Sequence, residues 1–111
     1  MLLLTLACGR AERERARDEA ILRNQLASMR VAIAAYAKTH GHGPAALHDA
    51  MPSVPVDPLT RSATTWRLTT EERVQVDDFT QSDVAARPIA IIAVRSGAAG
   101  RDSEGRRYSE Y

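Results

Sequence analysis

Leu22-Arg23-Asn24-Gln25-Leu26-Ala27-Ser28-Met29-Arg30-Val31-Ala32-Ile33-Ala34-Ala35-Tyr36-Ala37-Lys38 decides the architecture of this chain. Leu22, Leu26, Met29, Ile33 and Tyr36 recur at spacings of 4, 3, 4 and 3, which places them in one apolar stripe along an α-helix. Arg23, Arg30 and Lys38 are expected on the opposite side, in solvent. The stripe is too short for a coiled coil, which needs about three heptads. It is therefore expected to pack on a small sheet of its own domain, with Leu22, Leu26, Met29 and Ile33 as its core.

Upstream, Arg10 to Lys38 contains no Gly or Pro and is rich in Ala, Arg, Glu and Leu, all good helix formers. The predicted rod is about 45 Å long. Its first part, Arg10-Ala11-Glu12-Arg13-Glu14-Arg15-Ala16-Arg17-Asp18-Glu19, is polar on every side, so residues 10–20 are expected to project outward to solvent or to a charged partner. Met1-Leu2-Leu3-Leu4-Thr5-Leu6-Ala7-Cys8 is apolar but much shorter than the roughly 20 residues a bilayer span needs. Two organisational units follow: residues 1–20, the end of a hydrophobic helix with its charged extension, and residues 21–111, a globular domain.

Downstream, His40-Gly41-His42-Gly43-Pro44 ends the helix. Pro44–Met51 reads as a short helix carrying Leu47 and Met51. Pro52-Ser53-Val54-Pro55-Val56-Asp57-Pro58 is an extended connector, because a residue before proline avoids the α region. Asp57-Pro58 opens a turn. Ala63-Thr64-Thr65-Trp66-Arg67-Leu68-Thr69 reads as a strand, with Trp66 anchoring sheet to helix. Ile89–Val94 and, more weakly, Arg73–Val76 are candidate partner strands, and Glu71 to Pro88 is expected to be a polar loop at a domain edge. The fold class is thus α+β: a long N-terminal helix packed on a small antiparallel sheet.

Composition narrows function. The net charge is +1, with 15 basic and 14 acidic side chains, so the basic excess that nucleic-acid binding requires is missing. Aromatic residues are 5% of the chain, so the core must rest on aliphatic side chains and stay modest. Cys8 is the single cysteine, which excludes an internal disulfide and a multi-cysteine metal site within one chain. His40, His42 and His48 are imidazole-bearing, but their spacing matches no zinc motif, and they are read as turn residues. Asp77, Asp78 and Asp83 lack the fixed spacing of an EF-hand loop. No Ser/His/Asp, Cys/His or paired-carboxylate arrangement is visible, so no catalytic residue, cofactor or metal ligand is assigned.

Val56-Asp57-Pro58-Leu59-Thr60, Thr65-Trp66, Val94-Arg95-Ser96-Gly97-Ala98-Ala99-Gly100 and Tyr108-Ser109-Glu110-Tyr111 occur in an order that resembles the pseudopilins of type II secretion systems, closest to the major, protein G-like branch. The resemblance covers roughly residues 10–70 and 89–111. It departs from the family at Gly43-Pro44, where an aromatic usually precedes the proline. The family's leader, cleavage site and early helix glutamate have no counterpart here. Many major pseudopilins carry an acidic calcium loop near residues 97–105. Here Arg101 intrudes and the acids are Asp102 and Glu104, few for a cation that takes six to eight oxygens, so no calcium is expected. Tyr108 and Tyr111 would hold this loop instead.

The resemblance implies a type IV pilin-like fold and a structural subunit of a periplasmic pseudopilus, embedded in the inner membrane through an N-terminal segment largely outside this sequence. Its partners would be other pseudopilin subunits, met through Arg13, Glu14, Arg17 and Asp18. The alternative is a periplasmic accessory binding domain of pilin-like fold, lipid-anchored at Cys8 or soluble. Neither reading is enzymatic.

Overall fold

A computed structural model describes residues 2–72 and 89–111, with side chains from residue 9 onward. The long element is α1, Leu2–His40, and it makes the molecule 73 Å long but only 23 × 21 Å across. It runs through Gly9, whose surroundings are open, and past the expected limits of 10 and 38. It ends where Gly41, at φ 79°, donates its N–H to Ala37 O at 2.8 Å. That is the left-handed cap glycine allows, and Lys38 and His40 favour the negative end of the helix dipole.

The other elements are short: α2, Leu47–Ala50; β1, Arg67–Glu72; β2, Ile89–Arg95; and a 3-10 turn, Tyr108–Glu110. The two strands pair antiparallel from Arg67↔Arg95 to Glu72↔Ile89, with a bulge at Thr69/Thr70 that leaves Ile92 without a direct partner. A long helix against a two-stranded antiparallel sheet is the α+β arrangement the sequence implied.

Leu22, Leu26, Met29 and Ile33 are all at least 95% buried. They meet Leu47, Met51, Trp66, Ile91, Val94, Tyr108 and Tyr111 in one core. Tyr36, the fifth member of the stripe, is only half-buried and stacks on His40 at 4.0 Å between ring centres. The core therefore stops one turn earlier than the spacing predicted.

Three element boundaries also move. Residues 63–66 are not strand, because the hydroxyls there bond locally and compete with a ladder. Thr60 and Thr65 Oγ1 lie 2.6 Å apart, and Ser62 Oγ accepts the Thr64 N–H at 3.1 Å. Helix α2 begins at Leu47 rather than Pro44, because Pro44 O accepts the Ile91 N–H at 2.7 Å and is held against β2. The polar loop expected from Glu71 to Pro88 begins later, since Glu71 and Glu72 belong to β1. The remainder of that stretch, with the candidate strand Arg73–Val76 and Asp77, Asp78 and Asp83, lies outside the described residues.

Candidate functional site

Two polar junctions hold the globular half together. The first joins two of the quoted motifs. Asp57 is fully buried. Its Oδ1 accepts the Leu59 N–H at 2.8 Å, and its Oδ2 accepts the Ser96 hydroxyl at 2.6 Å. Ser96, also fully buried, accepts the Ala98 N–H at 3.1 Å. Main-chain bonds close the turn around the aspartate: Asp57 N–H to Ser62 O at 3.0 Å and Arg61 N–H to Asp57 O at 2.7 Å. This turn puts Arg61 at φ 59°, a left-handed conformation that costs about 1 kcal/mol for a residue with a side chain. Next to Ser96, a Cβ on Gly97 would sit 2.0 Å from Thr65 O, so only glycine lets the two segments approach. Trp66 fixes the same corner by donating its indole N–H to Pro55 O at 2.9 Å.

The second junction clasps residues 100–111 to α1. Tyr108 donates its hydroxyl to Glu19 at 2.7 Å, across 89 residues of sequence. Tyr111 donates to Asp102 Oδ2 at 2.7 Å and receives Arg23 Nη2–H on its own oxygen at 3.1 Å. The Arg23 guanidinium lies 4.5 Å from the Tyr111 ring centre and 3.6 Å from Asp102 Oδ2. Arg30 donates to Val94 O and to Tyr111 O, at 3.2 and 2.5 Å. The two tyrosine rings meet edge to face at 5.5 Å.

The clasp shapes its own electrostatics. The Tyr111 hydroxyl holds the Asp102 carboxyl below the usual carboxylate range against the opposing effect of its desolvation, and the Arg106 and Glu104 N–H groups add to the lowering. Burial pushes the Tyr108 phenol up to about 12, with the Glu19 carboxylate contributing, and burial together with Asp102 raises Tyr111 further.

These contacts correct two expectations. Glu19 belonged to the stretch expected to project outward, yet it is 93% buried, because Tyr108 draws it into the domain. Arg23 and Arg30, expected opposite the core, flank it and reach over to the C-terminal loop. Sequence periodicity missed both, since a helical repeat reports apolar faces and is silent about a distant phenol.

The residues expected at assembly contacts lie beyond the clasp. Arg13, Glu14 and Arg17 are exposed and Asp18 is half-buried. Arg13 Nε–H reaches Gly9 O at 3.1 Å. Among the described residues none of the four takes part in an ion pair within 4.0 Å.

The histidines do not converge. His40 and His42 have ring centres 6.1 Å apart at the end of α1, whereas exposed His48 sits beside Asp49, 3.5 Å from its carboxylate. Among the described residues no three His, Cys, Asp or Glu side chains are placed to share a metal ion. The Asp57–Ser96 hydrogen bond and the two Tyr–carboxylate hydrogen bonds each tie together segments distant in sequence or across a loop. Chemically the arrangement acts as a set of clips.

No protein-family model, curated protein or solved structure matches the chain.

Proposed function

We propose that this chain is a structural subunit of a type II secretion or type IV pilus-like pseudopilus, with its globular half in the periplasm and the inner membrane reached through its N-terminal helix. One observation carries the reading. Asp57 of Val-Asp-Pro and Ser96 of Val-Arg-Ser-Gly, 39 residues apart, meet in a buried 2.6 Å hydrogen bond. Two of the motifs that carry the resemblance are thus joined in one buried corner of this fold. The long helix supports the same reading, because its packed half carries the domain while its charged section runs on, with Glu12, Arg15 and Ala16 lining a cleft beside Arg101–Ser103 and Arg10, Arg13, Glu14 and Arg17 exposed. Among the described residues no helix is long and apolar enough to cross a membrane.

The test is the intact mass and N-terminal peptide of the protein produced from its own gene, in membrane and soluble fractions. A membrane-bound form with an additional apolar segment is the expected result. A diacylglycerol adduct on Cys8 would replace the filament reading with a lipid-anchored binding domain, and an unmodified Met1 start in the soluble fraction would leave a free domain of this fold.

A further inference from the structure

Four arginines converge on Ser109–Tyr111. From α1, Arg23 donates to the Tyr111 hydroxyl and Arg30 to the Tyr111 main-chain oxygen. From the end of β2, Arg95 donates its Nη1–H to Ser109 O at 3.3 Å. From the C-terminal loop, Arg106 donates its Nη2–H to Glu110 O at 2.9 Å. All four are exposed. Capping the carbonyls that end the 3-10 turn uses one nitrogen of each of Arg30, Arg95 and Arg106, and leaves their charge unanswered.

This spot is strongly cationic in a chain whose net charge is +1. Arg23 lies 3.6 Å from the buried Asp102, whose carboxylate already accepts the Tyr111 hydroxyl. Among the described residues Arg30, Arg95 and Arg106 meet no carboxylate within 4.0 Å. Glu104 and Glu110, in the same loop, are exposed and form no ion pair within that distance either. Like charges gathered without counter-ions repel one another and attract an anion from outside.

The guanidinium groups are held ready for it. Arg23 and Arg106 lie against the Tyr111 ring, 4.5 and 5.6 Å from its centre, and Arg30 is fixed by a second carbonyl, Val94 O. In Arg23, Arg30 and Arg106 the bonded nitrogen is Nη2, so among the described residues Nε and Nη1 stay unused. That free edge is the fork that receives a carboxylate bidentately, and a fork fixed in advance loses little freedom on binding. Spacing selects the occupant. Arg23 and Arg30 leave α1 about 10 Å apart along its axis and grip opposite ends of Tyr111, so one small anion does not reach both. An extended peptide advances about 3.3 Å per residue, and carboxylates three residues apart match that interval.

We propose that Arg23, Arg30, Arg95 and Arg106 form a docking site for an acidic segment of another protein, bound extended with carboxylates about three residues apart. The site does not depend on the pseudopilus reading.

The probe is a dye-labelled peptide of about ten residues, with glutamate at every third position and glycine between, titrated into the full 111-residue chain. Fluorescence anisotropy at low salt should show saturable binding that weakens as salt is raised and vanishes when glutamine replaces glutamate in the peptide. Arg95→Gln with Arg106→Gln should weaken binding at least about tenfold. Arg10→Gln with Arg13→Gln removes the same charge elsewhere and should change it by less than about twofold. Urea unfolding read by Trp66 fluorescence keeps loss of folding apart from loss of binding. On the unaltered chain, the arginine Nε–H resonances that shift with peptide should be those of residues 23, 30, 95 and 106. Equal weakening by the two variant pairs would reduce the effect to diffuse attraction and overturn the proposal. So would shifts confined to other arginines, or no saturable binding up to about 1 mM peptide. Tighter binding to phosphatidylglycerol vesicles than to the peptide would assign the cluster to a lipid surface and overturn the protein partner.

Discussion

Replacing Ser96 with alanine should uncouple the two halves of the Asp57 corner. The substitution removes the side-chain hydroxyl that donates to Asp57 Oδ2, in a site where both residues are fully buried. A hydrogen bond to a charged group contributes about 1.5–3 kcal/mol, and its loss leaves the acceptor desolvated. The Ala98 N–H loses its acceptor as well, at about 1 kcal/mol. The expected total is about 3 kcal/mol, a large share of the roughly 5–15 kcal/mol typical of a small domain. Urea unfolding read by circular dichroism and by fluorescence of Trp66, the only tryptophan, measures it directly. Thermal unfolding should fall by on the order of 10 °C. A double-mutant cycle with Asp57→Asn isolates the pair, and the coupling should be about 2 kcal/mol. Additive losses, or a Ser96→Ala cost below about 0.5 kcal/mol, would refute the idea that this bond fastens the Val-Asp-Pro turn to the end of β2.

Close backbone approach makes Gly97→Ala and Gly43→Ala severe, because the new Cβ would stand 2.0 Å from Thr65 O and 2.1 Å from Ile91 O. Each should cost at least about 2 kcal/mol by urea titration, whereas Gly9→Ala, which meets open space inside a helix, should cost nothing and should add up to about 1 kcal/mol. Leu26→Ala empties a site 99% buried and should cost about 3 kcal/mol in the same assay. For Asp102 the folded carboxyl ionises more readily than the unfolded one, so its contribution is present above the ordinary value of 3.8 and disappears as pH falls through the lower folded value. Asp102→Asn should therefore flatten the acid limb of the stability–pH curve below about pH 4. Tyr108 has the opposite sign. Its contribution is complete below pH 10 and is lost as pH rises through about 12, and phenolate absorbance should show a tyrosine titrating there that Tyr108→Phe removes.

The helix and its core face were legible in the sequence because Leu22, Leu26, Met29 and Ile33 each report the same periodicity. Ile89–Val94 was legible as a run of apolar residues, and it became Ile89–Arg95 in the structure. The strand around Trp66 was placed too early, since the Thr- and Ser-rich stretch before it satisfies its polar groups through its own hydroxyls rather than a ladder. The clasp was less visible. Tyr108 and Tyr111 could be picked out as aromatic residues in a polar tail, but their partners Glu19, Arg23 and Asp102 carry no local signal. Pairings across 89 residues depend on tertiary geometry, which a helical repeat does not encode.

The bond between Tyr108 and Glu19 has a consequence for synthesis. Helix α1 is made first, and its apolar stripe is covered first by Leu47, Met51 and Trp66 and last by Ile91, Val94, Tyr108 and Tyr111; closing that last, long loop is slow because its entropy is lost before contacts compensate it. An emerging chain thus displays the part of the stripe that Ile91, Val94 and the two tyrosines cover until at least residue 108 has left the ribosome. During that interval the stripe is open to chaperones and to other nascent copies. A variant with Tyr108→Phe prolongs that exposure by weakening the last closure, and its first symptom in a cell would be lower yield rather than an altered final shape.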